Sequence, residues 1–154
     1  MKVGIGQDSH RFDLENKEKK LMLGGVVFEN YPALLGNSDA DVVLHAITNA
    51  ISGVTCKNIL GSVTDKMCQA GITDSEAYVK EALKYLEYKI EHLSISIECK
   101  TPKITPKIEE MRKNIARILD VKENQVGITA TTGEGLTDFG RGEGISVFCI
   151  LTVN

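Results

Sequence analysis

The segment Val3-Gly4-Ile5-Gly6-Gln7-Asp8-Ser9-His10 decides the fold at the start of the chain, because it joins an alternating run to a carboxylate and an imidazole. The alternation predicts a strand, in which residues two apart point to the same face. Asp8 and His10 are therefore expected side by side, as an oxygen and a nitrogen ligand suited to a divalent metal such as zinc. The glycines allow another backbone or a ligand to approach closely. Alternatively, Asp8 caps the strand end and His10 is a surface residue.

A second segment, around residues 38–53, predicts a helix. Ser38 or Asp39 is a suitable N-cap, and the helix is expected to run to about Ser52 and to end at Gly53. Its apolar stripe has the helical period and consists of Val43, Ala46, Ile47, Ala50 and Ile51.

The same helix carries a third candidate metal ligand. Asp41, His45 and Asn49 are spaced by four residues and so share a second face. His45 is thus expected on a polar stripe outside the core, with Asp41 or Asn49 orienting its ring as partners of metal-bound histidines do. A solvated helix face is the alternative interpretation.

Composition indicates an ordinary globular protein. The chain has 154 residues, 42% of them hydrophobic and 25% charged, and these values predict one domain, residues 1–154. The net charge of -3 gives no reason to expect a nucleic-acid partner, and no apolar run is long enough for a membrane span. We expect a cytoplasmic protein, or one from a plastid-type organelle if a transit peptide has been removed. The cysteines are too widely spaced for a zinc knuckle and are expected to be buried free thiols: Cys56, Cys68, Cys99 and Cys149.

The remaining segments alternate between strand and helix patterns. An early hairpin, a long irregular connection and two further helices separate the first strand from the later ones, which predicts an α+β fold with a mixed sheet of four or five strands and helices on one face. The expected segments are a hairpin at 21–28, a connection at 54–73, helices at 73–89 and 106–119, and strands at 93–99, 125–131 and 145–153.

A loop near the end of the chain has phosphate-binding chemistry. In Thr131-Thr132-Gly133-Glu134, hydroxyls and loop amides suit a phosphate, and the carboxylate suits a hard cation such as Mg²⁺. A turn with an exposed acid is the alternative.

Taken in order, these motifs resemble one family along nearly the whole chain, the 2-C-methyl-D-erythritol 2,4-cyclodiphosphate synthases. The set is far more specific than any of its parts. It comprises Asp8-Ser9-His10, Gly24-Gly25-Val26, Ser38-Asp39-Ala40-Asp41-Val42 with His45, Pro102-Lys103 with Pro106, Met111-Arg112, Ala130-Thr131-Thr132 and Gly140-Arg141-Gly142-Glu143-Gly144.

The resemblance implies a homotrimeric, metal-dependent enzyme with active sites between subunits. It would convert 4-diphosphocytidyl-2-C-methyl-D-erythritol 2-phosphate to the cyclic diphosphate and CMP, by attack of the 2-phosphate on the β-phosphorus. No general base is needed, because the attacking phosphate oxygen is already ionised at neutral pH. Asp8, His10 and His45 correspond to the ligands of a zinc ion (Zn²⁺), and Glu134 to the ligand of Mg²⁺ or Mn²⁺.

The resemblance also assigns residues to parts of the substrate. Ser38 corresponds to a contact with the methylerythritol phosphate, and Thr131 and Thr132 to contacts with the nucleotide diphosphate, with Thr132 and Glu134 closest to the reaction. The other correspondences are Asn58, Gly61 and Asp65 in the loop that meets the ribose and methylerythritol, Pro102, Lys103, Ile104 and Thr105 in a cytosine pocket, and Phe139 and Arg141 in a channel on the trimer axis, where some members hold an isoprenoid diphosphate.

The chain departs from the family pattern mainly in the substrate loop at residues 58–65. Asn37 replaces a usual histidine, Asn49 and Asn58 replace usual acids, and Gly135 replaces a frequent lysine. A trimeric metal-binding or ligand-binding paralogue without cyclase activity is therefore the alternative to the cyclase, and a zinc hydrolase is a third.

Overall fold

A four-stranded mixed sheet and four helices make up the fold in a computed structural model that describes residues 1–154. The strands are β1 (Lys2–Arg11), β2 (Leu21–Leu23), β3 (Val26–Phe28), β4 (Ile90–Glu98), β5 (Val126–Thr131) and β6 (Gly144–Val153). The helices are α1 (Val42–Thr55), α2 (Ser62–Gln69), α3 (Ser75–Leu83) and α4 (Ile108–Leu119), with 3-10 turns at Thr105–Lys107 and Glu123–Gln125. None of these helices has the length and apolar character to cross a membrane.

Three strands terminate at the same end of the sheet. Its order is β1-β6-β4-β5, with β6 antiparallel to both neighbours and β4 parallel to β5. Strands β1, β4 and β5 therefore run in the same direction, and their carboxyl ends lie at the end of the sheet where β6 begins. β2 and β3 form the separate hairpin that the sequence predicted.

One face of the sheet is covered by helices and the other is open. The covered face buries alternate residues of β4 and β6, among them Ile95, Ile97 and Val147. The open face leaves large apolar side chains exposed, namely Val3, Ile5, Phe148 and Ile150. The predicted α+β fold, with helices on one face, is confirmed.

Glycines in β1 let α1 lie directly on the strand. A Cβ added at Gly6 would stand 1.9 Å from the Ala46 carbonyl oxygen, and one at Gly4 would stand 2.2 Å from that of Ala50. No real Cβ makes such contacts, so the two backbones touch only because these residues are glycine. The predicted close approach is confirmed, and the approaching backbone is helix α1.

Helix α1 begins and ends later than predicted. Its N-cap is Asp41, not Ser38 or Asp39, and the Asp41 carboxylate accepts hydrogen bonds from the backbone amides of Leu44 (3.0 Å), Gly24 (2.9 Å) and Gly25 (2.7 Å). Burial raises the pKa of Asp41 to about 6, while these three N–H groups act in the opposite direction. Gly53 is inside the helix, because the left-handed residue that ends it is Cys56.

Two other boundaries differ from the sequence prediction. The connection at 54–73 contains α2, a polar helix that buries only Thr64 and so shows no apolar period. Helix α3 starts after the Asp74 N-cap and ends at Leu83, short of 89, and is followed by i→i−3 turns through Leu86 before Ile90 pairs with Val153 in the sheet.

The cysteines are free, as predicted, but they are not all buried. Cys99 and Cys149 are buried, and burial raises the pKa of the Cys99 thiol to about 11 and that of the Cys149 thiol to about 12. Cys56 is exposed because it ends α1 at the surface, and Cys68 is half-buried beside Tyr78.

The contact between β1 and α1 predicts that Gly6→Ala lowers the free energy of unfolding by about 1–3 kcal/mol, since the methyl group pushes the helix off the strand. Gly53→Ala is the matched control, because its Cβ would lie 3.5 Å from the nearest atom, the Ile5 carbonyl oxygen. That helical glycine should tolerate alanine with no loss, or with a gain of about 0.5–1 kcal/mol. Urea denaturation of the metal-free proteins measures both, and equal stabilities would contradict the prediction.

Candidate functional site

Asp8, His10 and His45 converge at the carboxyl end of β1. Alternation along β1 puts Asp8 and His10 on one face, and α1 brings His45 against them. Asp8 Oδ2 lies 2.8 Å from His10 Nε2 and 3.0 Å from His45 Nδ1, and the two nitrogens are 3.3 Å apart. The three residues form a group whose ligand atoms all lie within 4.8 Å of one another.

This geometry fits a tetrahedral metal ion. Ligands at 2.0–2.1 Å from zinc are separated by about 3.3 Å along a tetrahedral edge. The separations here are equal to that or slightly shorter, as expected of ligand atoms that face one another directly. One oxygen and two imidazole nitrogens also form a usual ligand set for a site with one open position. The residues present therefore fit the metal that the sequence predicted, without identifying it.

The two histidines keep the carboxyl group of Asp8 ionised. Burial alone would raise the pKa of Asp8, but the hydrogen bonds and charges of the two histidines outweigh burial and lower it to about 2. Burial disfavours the His10 cation, yet the Asp8 carboxylate more than compensates and raises the pKa of His10. At neutral pH Asp8 is therefore an anionic ligand.

His10 is oriented by the loop before α1. Its Nδ1 lies 2.8 Å from the Leu35 carbonyl oxygen, which can only accept, so Nδ1 carries the proton and Nε2 faces the site. The loop is held in turn by Lys19, whose ammonium group donates to the carbonyls of Leu34 (2.9 Å) and Gly36 (3.0 Å).

His45 is buried, with 8% of its surface exposed, so the prediction that it lies outside the core was wrong. Its Nε2 lies 2.9 Å from Ser75 Oγ and 3.5 Å from Ser38 Oγ. The predicted partners do not touch its ring, because Asp41 caps α1 and Asn49 donates to the Gln7 carbonyl at 3.1 Å. The tight contact of α1 with β1 turns this helix face inward.

A cavity of about 140 Å³ opens next to the three ligands. The predicted substrate residues Ser38 and Asp65 line it, as does Asn37. Asn58 and Gly61 are not part of its lining. Asn58 is exposed, and Gly61 starts α2 with a φ of 118° that favours glycine.

A second cavity, of about 390 Å³, lies at the ends of β4 and β5. All six residues predicted for the cytosine pocket and the diphosphate contacts line it: Pro102, Lys103, Ile104, Thr105, Thr131 and Thr132. Two threonine hydroxyls accept from loop amides, Thr131 from Gly133 (3.4 Å) and Thr132 from Glu134 (3.3 Å). The six residues that the resemblance assigned to the nucleotide therefore lie in one pocket.

The remaining predicted residues lie outside both cavities. Glu134 is exposed in a turn with a φ of 52° and is not one of the three clustered ligands. Arg141 is exposed and donates to the carboxylate of Asp138 at 2.6 Å. Phe139 lines a third cavity, of about 250 Å³, together with His10 and Arg11.

Within one chain, the metal cluster and the second cavity are separated. They have no lining residue in common, and they lie at the two lateral edges of the sheet, beside β1 and β5. Three strand spacings place these edges about 14 Å apart.

The residues that support the His45 ring were not predicted from the sequence. Ser75 contacts both Asp39 and the His45 ring. The ring centre of Tyr78 lies 6.1 Å from that of His45. Ser75 is 30 residues from His45, so no spacing rule connects them. The segment at 73–76 showed only a helix start, which it also is.

Comparisons with known proteins identify the family of this chain. A sequence model of the YgbB family matches residues 1–154. The 2-C-methyl-D-erythritol 2,4-cyclodiphosphate synthase of Chlamydia caviae is 53% identical over 155 aligned residues, covering 99% of this chain and 88% of the relative. The enzyme of the same name from Chlamydia trachomatis serovar D is 50% identical, with 99% and 87% covered.

Solved structures share the fold. The IspF of Plasmodium falciparum, solved as a CDP complex, is 28% identical with a TM-score of 0.83, and the match covers 98% of this chain and 94% of that one. The bifunctional IspDF of Campylobacter jejuni is 29% identical with a TM-score of 0.86, and this chain spans 41% of its length. The match to the YgbB family and the close synthase relatives lead to one conclusion: the chain belongs to the 2-C-methyl-D-erythritol 2,4-cyclodiphosphate synthase family.

Proposed function

We propose that this protein converts 4-diphosphocytidyl-2-C-methyl-D-erythritol 2-phosphate to 2-C-methyl-D-erythritol 2,4-cyclodiphosphate and CMP. The observation that carries the proposal is that a three-ligand metal cluster and a nucleotide-sized cavity both lie at the end of the sheet where β1, β4 and β5 terminate, at its two opposite lateral edges. Relatives that are 53% identical bear the synthase name. The 2-phosphate oxygen attacks the β-phosphorus, the bond from that phosphorus to the bridging oxygen breaks, and CMP leaves with the bridging oxygen.

The chain's own residues position the reacting groups. Ser38, in the cavity beside the ligands, holds the methylerythritol phosphate. Thr131 and Thr132 hold the diphosphate, and the pocket wall of Pro102 to Thr105 encloses the cytosine. Since the attacking oxygen is already ionised, the protein has to orient two anionic groups in line and needs no base.

Two cation sites serve this chemistry. Asp8, His10 and His45 would hold zinc, and Glu134, exposed beside the diphosphate pocket, would hold Mg²⁺ or Mn²⁺. When bound, such cations supply positive charge and orienting contacts for the phosphate oxygens.

The two half-sites are joined between subunits of a homotrimer in this proposal. One chain holds the metal cluster at its β1 edge and the nucleotide cavity at its β5 edge. In a closed ring, the β1 edge of one copy meets the β5 edge of the next, which is a heterologous contact that three-fold symmetry can close. The open sheet face then turns toward the ring axis. Its side chains suit that place, since Ile5 (64% exposed) pairs with Ile150 (45%) and Phe148 (46%) lies next along β6.

The first test is CMP release from the diphosphocytidyl substrate with Mg²⁺, before and after a chelator removes zinc. We expect a cyclic product, identified by mass, that disappears on stripping and returns when zinc is restored. A folded, zinc-loaded protein that releases no CMP would favour the metal-binding paralogue instead. Release of inorganic phosphate without a cyclic product would favour a zinc hydrolase.

His45→Ala should abolish zinc binding and turnover while the fold is retained, because one of three ligands is lost and the helix around it stays packed. Elemental analysis gives zinc per chain, and circular dichroism checks the fold. His92→Ala is the matched control, since His92 is exposed on β4 away from the cluster. Full zinc occupancy in His45→Ala would rule out His45 as a ligand.

Subunit mixing tests the shared site. His45→Ala disables the metal half, and Thr132→Glu disables the nucleotide half by placing a negative charge where the diphosphate binds. Neither homotrimer should turn over, but co-expressed chains at equal amounts should recover about one quarter of wild-type activity, because a site is intact only when each half comes from the suitable chain. If both halves act within one chain, mixing restores nothing.

A further inference from the structure

We propose that Asp39 and Ser75 form a positioning pair that fixes the His45 ring with Nδ1 toward the metal. The inference rests on the metal site of the proposed function and adds to it the residues that set this ligand. Neither residue is one of the three clustered ligands. Ser75 contacts the far side of the His45 ring, and Asp39 contacts Ser75.

Hydrogen counting fixes the direction of each bond. The Asp39 carboxylate can only accept, so the single hydroxyl hydrogen of Ser75 is donated to Asp39 Oδ1. Ser75 Oγ then has only lone pairs to offer to His45 Nε2, 2.9 Å away. His45 must therefore carry its hydrogen on Nε2, which leaves the Nδ1 lone pair facing Asp8 and His10.

Further hydrogen bonds hold Asp39 and Ser75 in place. Ser75 is fully buried, and its backbone amide donates to Asp39 Oδ2 at 3.0 Å. The Asp39 amide donates to the Thr73 carbonyl at 2.9 Å, and the Asp41 amide donates to Asp39 Oδ1 at 3.1 Å. The carboxylate is thus fixed from both sides and cannot turn away from Ser75.

His45 needs this support more than His10 does. The partner of His10 is the Leu35 carbonyl, which accepts and never donates. A serine hydroxyl by itself can do either, and if it donated to Nε2 it would favour a hydrogen on Nδ1, where Asp8 lies 3.0 Å away as a ready acceptor. Asp39 removes that option. The two imidazoles are consequently held as opposite tautomers, His10 binding through Nε2 and His45 through Nδ1.

The test is zinc affinity, measured by competition with a chromophoric chelator on the full-length protein. Ser75→Ala removes only the hydroxyl and should weaken zinc binding about 10- to 100-fold, the usual effect of losing such a partner. Asp39→Ala leaves the hydroxyl in place but frees it, and should weaken binding in the same direction. Asp74→Ala is the matched control, because it removes the exposed N-cap acid of the same helix, whose contact is the Glu76 amide (2.9 Å). It should leave zinc affinity unchanged.

A spectroscopic readout separates positioning from mere stability. In the zinc-loaded wild type, nitrogen-15 NMR should show a slowly exchanging hydrogen on His45 Nε2, and both variants should lose it. Wild-type zinc affinity in Ser75→Ala, or a lower melting temperature with no change in affinity or in the Nε2 signal, would overturn the inference. A wild type that binds zinc but makes no cyclic product would refute the proposed function alone and leave the pair intact.

Discussion

Direct contact between the backbones of β1 and α1 is the constraint on which the site depends. With no Cβ at Gly4 or Gly6, the helix lies against the strand, and a methyl group at Gly6 would overlap the Ala46 carbonyl. That closeness brings Nδ1 of a helical histidine to 3.0 Å from the carboxylate of a strand aspartate. It also buries the helix face that carries His45, so the ring can be supported from behind by Ser75. The packing of α1 on β1 therefore also sets the relative positions of Asp8, His10 and His45.

Asp41 connects α1 to the hairpin formed by β2 and β3. Its carboxylate caps α1 and also accepts hydrogen bonds from the two glycine amides of the turn between β2 and β3. One buried acid therefore joins the hairpin to the start of the helix that carries His45. An acid with its pKa raised to about 6 by burial is an unusual cap, and three N–H donors are what make its burial tolerable. The helix that presents His45 is therefore fixed at both its start and its strand-facing side.

The sequence predicted those features that are local in the chain. Alternation was enough to pair Asp8 with His10, and turn and strand patterns were enough to place the hairpin and β4 to β6 approximately. Three acceptable caps stand between residues 38 and 41, and only the distant amides of Gly24 and Gly25 select Asp41. The same applies to His45, whose helical position was clear but whose burial depends on a strand 35 residues away. Helix α2 has no apolar period to detect, since it buries one threonine.

The three candidate ligands and the segment at 58–65 also differ in how they are packed. The three candidate ligands are carried by β1 and α1, whose backbones are in direct contact, so that a shift of either backbone would move them. The segment at 58–65 leads into α2, which buries a single residue, Thr64, and contacts the Tyr78 hydroxyl of α3 through Cys68 Sγ (2.8 Å). Ile59 and Thr64 are buried, but the exposed side chains of this segment can change without disturbing the candidate ligands, because they carry little packing energy. We therefore expect substitutions at exposed positions such as Asn58 to leave Asp8, His10 and His45 in place, because the direct contact of α1 with β1 sets the positions of these three side chains.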